Sequence, residues 1–349
     1  MTTISAGLLQ NIVFGPSASD SSAAQAAKAA PQLPTMSTPS VPEQAMSSVA
    51  MSSVTLALRN AASRLASRQS GLAPLYPDLD VAVRRADLPP DVRAAAQSVL
   101  SLRMGSVRPD VLQAAVLKSG LFTEAMLAGG AMPADMKTAL LSLRQTLQGW
   151  LGSSASETLT DPQLPPPYRG APPTAQQPAS ASIAVLDPRA AGLRLLAETD
   201  GALARQTLLQ IAALPDAIAP QQQSDTQLKL TMDIPLATPL GTAIIQLQVE
   251  QDGQRKDDEA GRERTWRINL AIDIEPLGPV RATVSQTGGL THVALMAERK
   301  DSAQALRNDL PMLETSLAEA ALDVGDVQCH TGKPHAPSAP AGQFLDRAS

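Results

Sequence analysis

Arg264–Leu322 reads RTWRINLAIDIEPLGPVRATVSQTGGLTHVALMAERKDSAQALRNDLPMLETSLAEAAL. Apolar residues first recur with period two: Trp266, Ile268, Leu270, Ile272 and Ile274, then Val280, Ala282 and Val284. The spacing then becomes helical, with Leu306, Leu310, Leu313, Leu317 and Ala321 on one stripe. Period two places alternate side chains on one sheet face, and steps of three and four place a stripe on one helix face. Strands followed directly by an amphipathic helix can cover each other's apolar sides. The stretch therefore predicts an α+β domain, an antiparallel sheet with one packed amphipathic helix, over residues 226–330.

Working upstream, Leu228, Leu230, Met232 and Ile234 alternate, as do Ile245, Leu247 and Val249. The charged run EQDGQRKDDEAGRER at 250–264 reads as an exposed hairpin loop. Turns are expected at 275–279 and 287–289, and Thr291, Val293, Leu295 and Ala297 form the strand leading into the helix. Pro311 is expected to restart that helix, with Asp309 near the new cap. Val324, Val327 and Cys329 suggest a last short strand, and 331–349 reads as a disordered tail.

Over 187–225, Asp187-Pro188 supplies an N-cap and a first-turn proline for a helix toward Pro215, with a break expected near Gly201. Residues 152–186, rich in Pro, Ser and Ala, read as a linker; PPPYRGAPP can form a polyproline II spacer or a docking peptide. The region 52–151 is all-α, a small helical bundle. One stripe there is Val54, Leu58, Ala61 and Leu65, closed by Gly71 in a left-handed cap. Further helices open at Pro90, Pro109 and Pro133. Residues 1–51 carry few charges, no sustained periodicity and Pro31, Pro34, Pro39 and Pro42, and are expected to be disordered.

Composition narrows the function. The 349 residues include 29 Pro and 2% aromatics, and the formal net charge is −5. No chain-wide basic field calls for nucleic acid. Residues 226–330 hold ten basic and sixteen acidic residues, which disfavours nucleic acid further and is compatible with a basic protein partner. Cys329 is the single cysteine, so an intrachain disulfide or multi-cysteine metal site is excluded. No run of eighteen apolar residues suggests membrane insertion. The N-terminal ISAGLLQNIVFG lacks the positive flank of a secretory signal peptide.

Catalytic constellations are sparse. Cys329, His330 and His335 would need the tail to fold back around a metal, and neighbouring strand residues such as Cys329 and His330 face opposite ways. His292 reads as a solvent-side strand residue. Asp257, Asp258 and Glu259 sit among arginines and a lysine and match no calcium loop. Gly288-Gly289 joins two strands rather than opening a phosphate-binding helix. No enzyme activity, cofactor or metal is expected.

IDIEPLGPVRATVS followed by ALRNDLPMLETSLAEAAL resembles the C-terminal domain of flagellar hook-length control proteins. The family's Leu-Gly-x-Val turn corresponds to Leu277, Gly278 and Val280. Its Leu-Pro-x-Leu helix core corresponds to Leu310, Pro311, Leu313 and Leu317. SGLFTEAML at 119–127, PPPYRGAPPTAQ at 165–176 and ALARQTLLQIAALPD at 202–216 also resemble some members. Departures are Ile274 and Pro276 around the turn, Glu314 where an arginine often follows, and Ala321 where a glycine tends to end the helix.

The resemblance implies export through the flagellar type III apparatus during hook growth, from the cytoplasm into the flagellum. It further implies that the C-terminal domain acts on the cytoplasmic domain of the export-gate switch protein, changing export from rod and hook to filament subunits. Hook and hook-cap subunits are further partners it suggests, and a monomer is expected. The partner-binding residues it marks are Leu277, Gly278, Val280, Leu310, Pro311, Leu313, Glu314 and Leu317. Fully extended, the ~225 residues ahead of the domain reach ~750 Å, and as helix roughly 340 Å. The alternative is a non-catalytic secreted or cytoplasmic scaffold with no switching role.

Overall fold

A computed structural model describes residues 56–152, 164–214, 228–251 and 265–333. The expectations for residues 1–51, for the charged loop beyond Gln251 and for the tail beyond Lys333 lie outside the described residues. After helical residues 56–66, the chain forms α1 (Leu72–Arg84), α2 (Pro90–Leu100), α3 (Pro109–Leu117), α4 (Thr123–Ala128), α5 (Met136–Leu151) and α6 (Pro188–Ala213). The sheet follows as β1 (Leu228–Thr238), β2 (Gly241–Gln251), β3 (Trp266–Ile274), β4 (Gly278–Thr287) and β5 (Leu290–Ala297). Helix α7 (Lys300–Glu319) then crosses to β6 (Asp323–Thr331).

Strand order is β1-β2-β3-β4-β5-β6, antiparallel throughout except that β6 lies parallel to β5. A parallel neighbour needs a crossover, and α7 supplies it. The registers Met232↔Leu247, Leu247↔Leu270, Leu270↔Ala282 and Ala282↔Leu295 line the apolar alternation of five strands into one row. The period-two reading thus placed these side chains on a common face. At the β1–β2 end, Val111, Leu112 and Val116 of α3 pack on Met232, Leu236 and Leu247. At the other end, Ala303 and Leu306 of α7 pack on Val280 and Ala297.

The opposite face meets the helical layer. Its core joins Leu75, Tyr76 and Leu79 of α1, Val92 and Val99 of α2, Leu140, Leu143 and Leu147 of α5, Leu195 and Leu196 of α6, and Ile244 of β2. The 4-3-4 spacing from Met136 to Leu147 buries one face of α5, and an Asp135–Thr138 capping box starts it. Helix α6 has buried residues all around because bundle and sheet enclose it on two sides. The sheet is therefore packed on both faces at its β1–β2 end, and the described residues belong to one compact unit.

Several sequence expectations differ from this arrangement. Gly71 has φ −70° and precedes α1 in extended conformation, so it is not a left-handed cap. Helix α1 carries Pro77 inside it and was not separately marked by the stripes. Asp135, not Pro133, sets the start of α5. Helix α6 is unbroken at Gly201, where the glycine serves close approach: a Cβ would lie 2.7 Å from that of Ser70, whose N–H bonds the Gly201 carbonyl at 3.0 Å. Helix α7 likewise continues through Pro311 without restarting.

The described part of the expected spacer is packed down. Leu164, Gln176 and Ile183 are buried, and the Gln176 carboxamide accepts from the Ala73 N–H while donating to Asp233. Asp78 on α1 accepts from the Ser182 hydroxyl and the Ile183 N–H, pinning the far end of this strap. Composition pointed to a spacer, whereas long-range polar partners give this segment a fixed course.

Beside Asp78 lies Glu198 of α6, 1% exposed, with Oε1 accepting from Arg194 at 2.8 Å and Oε2 buried without a partner. Burial, then the charge of Asp78, pushes its carboxyl up to about 8. A raised carboxyl stabilises the fold fully below its unfolded value near 4.5 and loses that contribution as pH rises through about 8. Glu198→Gln removes this loss. Urea unfolding should show wild type and variant alike near pH 5, with the variant more stable by a few kcal/mol near pH 8. Parallel pH profiles would contradict the assignment.

Candidate functional site

The residues marked by the family resemblance converge on the β3–β4 turn and α7. At the turn, Gly278 has φ +73°, and a Cβ there would lie 2.5 Å from Arg299 Nε. Glycine is required both by the left-handed backbone and by the approaching guanidinium. Arg299, just ahead of α7, donates from Nη1 and Nη2 to the two Glu275 carboxylate oxygens at 3.0 and 2.9 Å, and from Nη1 to the Pro276 carbonyl at 2.8 Å. The hydrogen bonds from Arg299 hold the Glu275 carboxyl below the usual range. Ser302 Oγ donates to the Leu277 carbonyl at 2.7 Å, tying the first turn of α7 to the same loop.

Under this clamp, Val280, Ala297 and Ala303 are buried together, with Leu277, Leu306 and Cys329 packed around them. The Cys329 thiol lies 3.5 Å from the Ala303 carbonyl and burial pushes it up, away from thiolate character. Leu277, Gly278 and Val280 are therefore parts of the hinge between sheet and helix. Beyond Leu306 the helix is covered less: Leu310, Leu313 and Leu317 are half-buried, while Pro311 and Glu314 are exposed and Met312 is 68% exposed. Of the marked residues on α7, Pro311 and Glu314 are the exposed ones.

The end of α7 explains the departure at Ala321. The Leu322 N–H donates to the Leu317 carbonyl at 3.1 Å and the Ala321 N–H to the Ala318 carbonyl at 3.0 Å, a Schellman pattern. Ala321 holds φ +60°, among the described residues the one non-glycine with positive φ. Alanine tolerates this conformation at a cost that glycine avoids. Ala321→Gly should raise stability by about 1 kcal/mol, measured by urea unfolding; a loss would mean that the αL assignment is wrong.

Sequence reasoning missed Arg299, Glu275 and Ser302. Their partners are distant in sequence, and no local pattern distinguishes Arg299 from the arginines of the charged loop. His292 is exposed, as read, and its Nδ1 accepts from the Asp326 N–H at 3.0 Å beside the register shift in β6. Among the described residues no group of three or more His, Cys, Asp or Glu side chains gathers to hold a metal, and no helix is long and apolar enough to cross a membrane.

A mostly antiparallel sheet closed by a helical crossover, with its turn clamped to the helix start, defines the C-terminal part as an α+β module. Residues 254–338 match the family described as Flagellar hook-length control protein FliK, so this C-terminal segment is similar to that family. The match begins ahead of β3, covers less than a third of the chain, and leaves β1, β2 and the helical layer outside it. Comparison with curated proteins and with solved structures finds no match.

Proposed function

We propose that this protein controls flagellar hook length, as an export substrate of the flagellar type III apparatus whose C-terminal domain switches export from rod and hook to filament subunits. The observation that carries this reading is the family match over 254–338, on the domain that holds the Leu277–Val280 turn and the Leu310–Leu317 helix. The partner in this reading is the cytoplasmic domain of the export-gate switch protein. Hook and hook-cap subunits would be met by the region ahead of the domain. The role is regulatory, and no catalytic step is assigned to it.

The test is hook length by electron microscopy in a strain lacking the gene. Abnormally long hooks without filaments support the reading, and normal hooks with filaments overturn it in favour of a scaffold with no switching role. Glu314→Lys refines the test because Glu314 is exposed and unpaired among the described residues, so charge reversal leaves the fold standing. Longer hooks from a stably folded Glu314→Lys protein place the helix face in the switch. Normal hooks from that variant remove Glu314 from it.

A further inference from the structure

The helical layer meets the sheet at β1 and β2, and on the same face β3–β6 form the floor of a concavity of about 710 Å³, walled by Gly170, Pro172 and Pro173 of the strap. Side chains pointing into it alternate with the apolar row beneath: Arg267 and Asn269 from β3, Arg281 and Thr283 from β4. The floor is fixed by a ladder of side chains. Thr283 Oγ1 donates to Asn269 Oδ1 at 2.9 Å, Asn269 Nδ2 to Gln248 Oε1 at 3.2 Å, and Gln248 Nε2 to the Ala171 carbonyl at 3.0 Å.

Charge in this concavity runs against that of the domain. Lys229 is 3.4 Å from Glu250, so that pair cancels. Arg267 and Arg281 have no hydrogen-bond or ion-pair partner among the described residues. Arg281 is also half-buried, and burial lowers its pKa below the usual value. The carboxylate that acts on it, Glu298, also lies 3.8 Å from Lys333. A half-buried guanidinium in a polar hollow gains most from a carboxylate that brings two acceptors in one plane.

We propose that this concave face binds an extended acidic segment of a protein partner, with carboxylates on Arg267 and Arg281. Arg281 stands opposite Ala271, four residues along β3 from Arg267, a span of about 13 Å at strand rise. An extended peptide covers that span in four residues and returns to the same side every second one, so the fitting segment carries acids at i and i+4. Isolated arginines without an aromatic platform favour this over single-stranded nucleic acid. The proposal stands on the hollow and its charges, independently of the flagellar role.

The test uses the full chain and a fluorescent peptide of about ten Ser, Thr and Gly residues with two Asp four apart, read by anisotropy at low salt. Saturable binding is expected, weakened roughly tenfold or more by Arg281→Gln and by Arg267→Gln, and abolished when both Asp become Asn. Arg267 is exposed, so its variant keeps the test valid if Arg281→Gln lowers the melting temperature. No saturation, equal binding of the Asn peptide, or binding indifferent to both arginines overturns the proposal. Competition by oligothymidylate as strong as by the acidic peptide overturns it in favour of nucleic acid.

Discussion

Asp233→Ala will destabilise the protein by about 3–5 kcal/mol, the cost of orphaning a buried charge. Asp233 on β1 and Arg205 on α6 form an ion pair at 2.7 Å whose side chains are 2% and 3% exposed. The carboxylate also accepts from Gln176 and Gln246, each at 2.9 Å, and Arg205 donates to Gln69 at 3.1 Å. Removing the carboxylate leaves a guanidinium and two carboxamides without their acceptor, far from water. Replacing both partners together, Asp233→Leu with Arg205→Met, should recover much of the loss, since no buried charge is then stranded. Urea midpoints at unchanged slope measure both. A single-variant loss under about 1 kcal/mol would show that water reaches the pair.

Tyr76→Ala will cost about 3–5 kcal/mol through the cavity left among α1, α2 and α5. Tyr76 is 0% exposed, and its hydroxyl makes only long contacts, 3.5 Å to the Val99 carbonyl and 3.9 Å to Met136 Sδ. Burial pushes the phenol well above its ordinary range, so it stays neutral and supplies a ring rather than a charge. Tyr76→Phe should therefore change stability by about 1 kcal/mol or less. A large loss in Tyr76→Phe, matching that of the alanine variant, would assign the stability to the hydroxyl instead.

The strands and the amphipathic helix were legible because period two and the 3-4 stripe report directly on which side of an element is apolar, whereas the register and the parallel pairing of β6 were not. The α5 stripe was legible for the same reason. What the sequence concealed is pairing at a distance. Arg205 within LARQTLLQI and Asp233 within TMDIPL are charges in apolar runs, a signal of burial, but nothing local says that they meet. Pro311 and Gly201 carried the usual marks of helix interruption, yet α7 and α6 run through them unbroken, at Gly201 because Ser70 approaches closely. Composition also misled over 164–186, where Gln176 and Ser182 anchor to the sheet and α1 rather than to neighbours in sequence. At the candidate site, Gly278 and the Leu310–Leu317 stripe were visible, whereas the Arg299 clamp that makes the glycine necessary was not.

The strap and the buried pair between α6 and β1 bear on how the gene is to be cut. A fragment starting near residue 226 would keep the sheet and α7 but would strip Ile244, Asp233 and Gln246 of the groups that cover them. Such a piece would expose apolar and charged surface that the whole chain hides, and would be prone to self-association. Fragments beginning at the first described helix retain those partners, so the smallest useful expression unit is set by α6 and the strap rather than by the stretch that identifies the family.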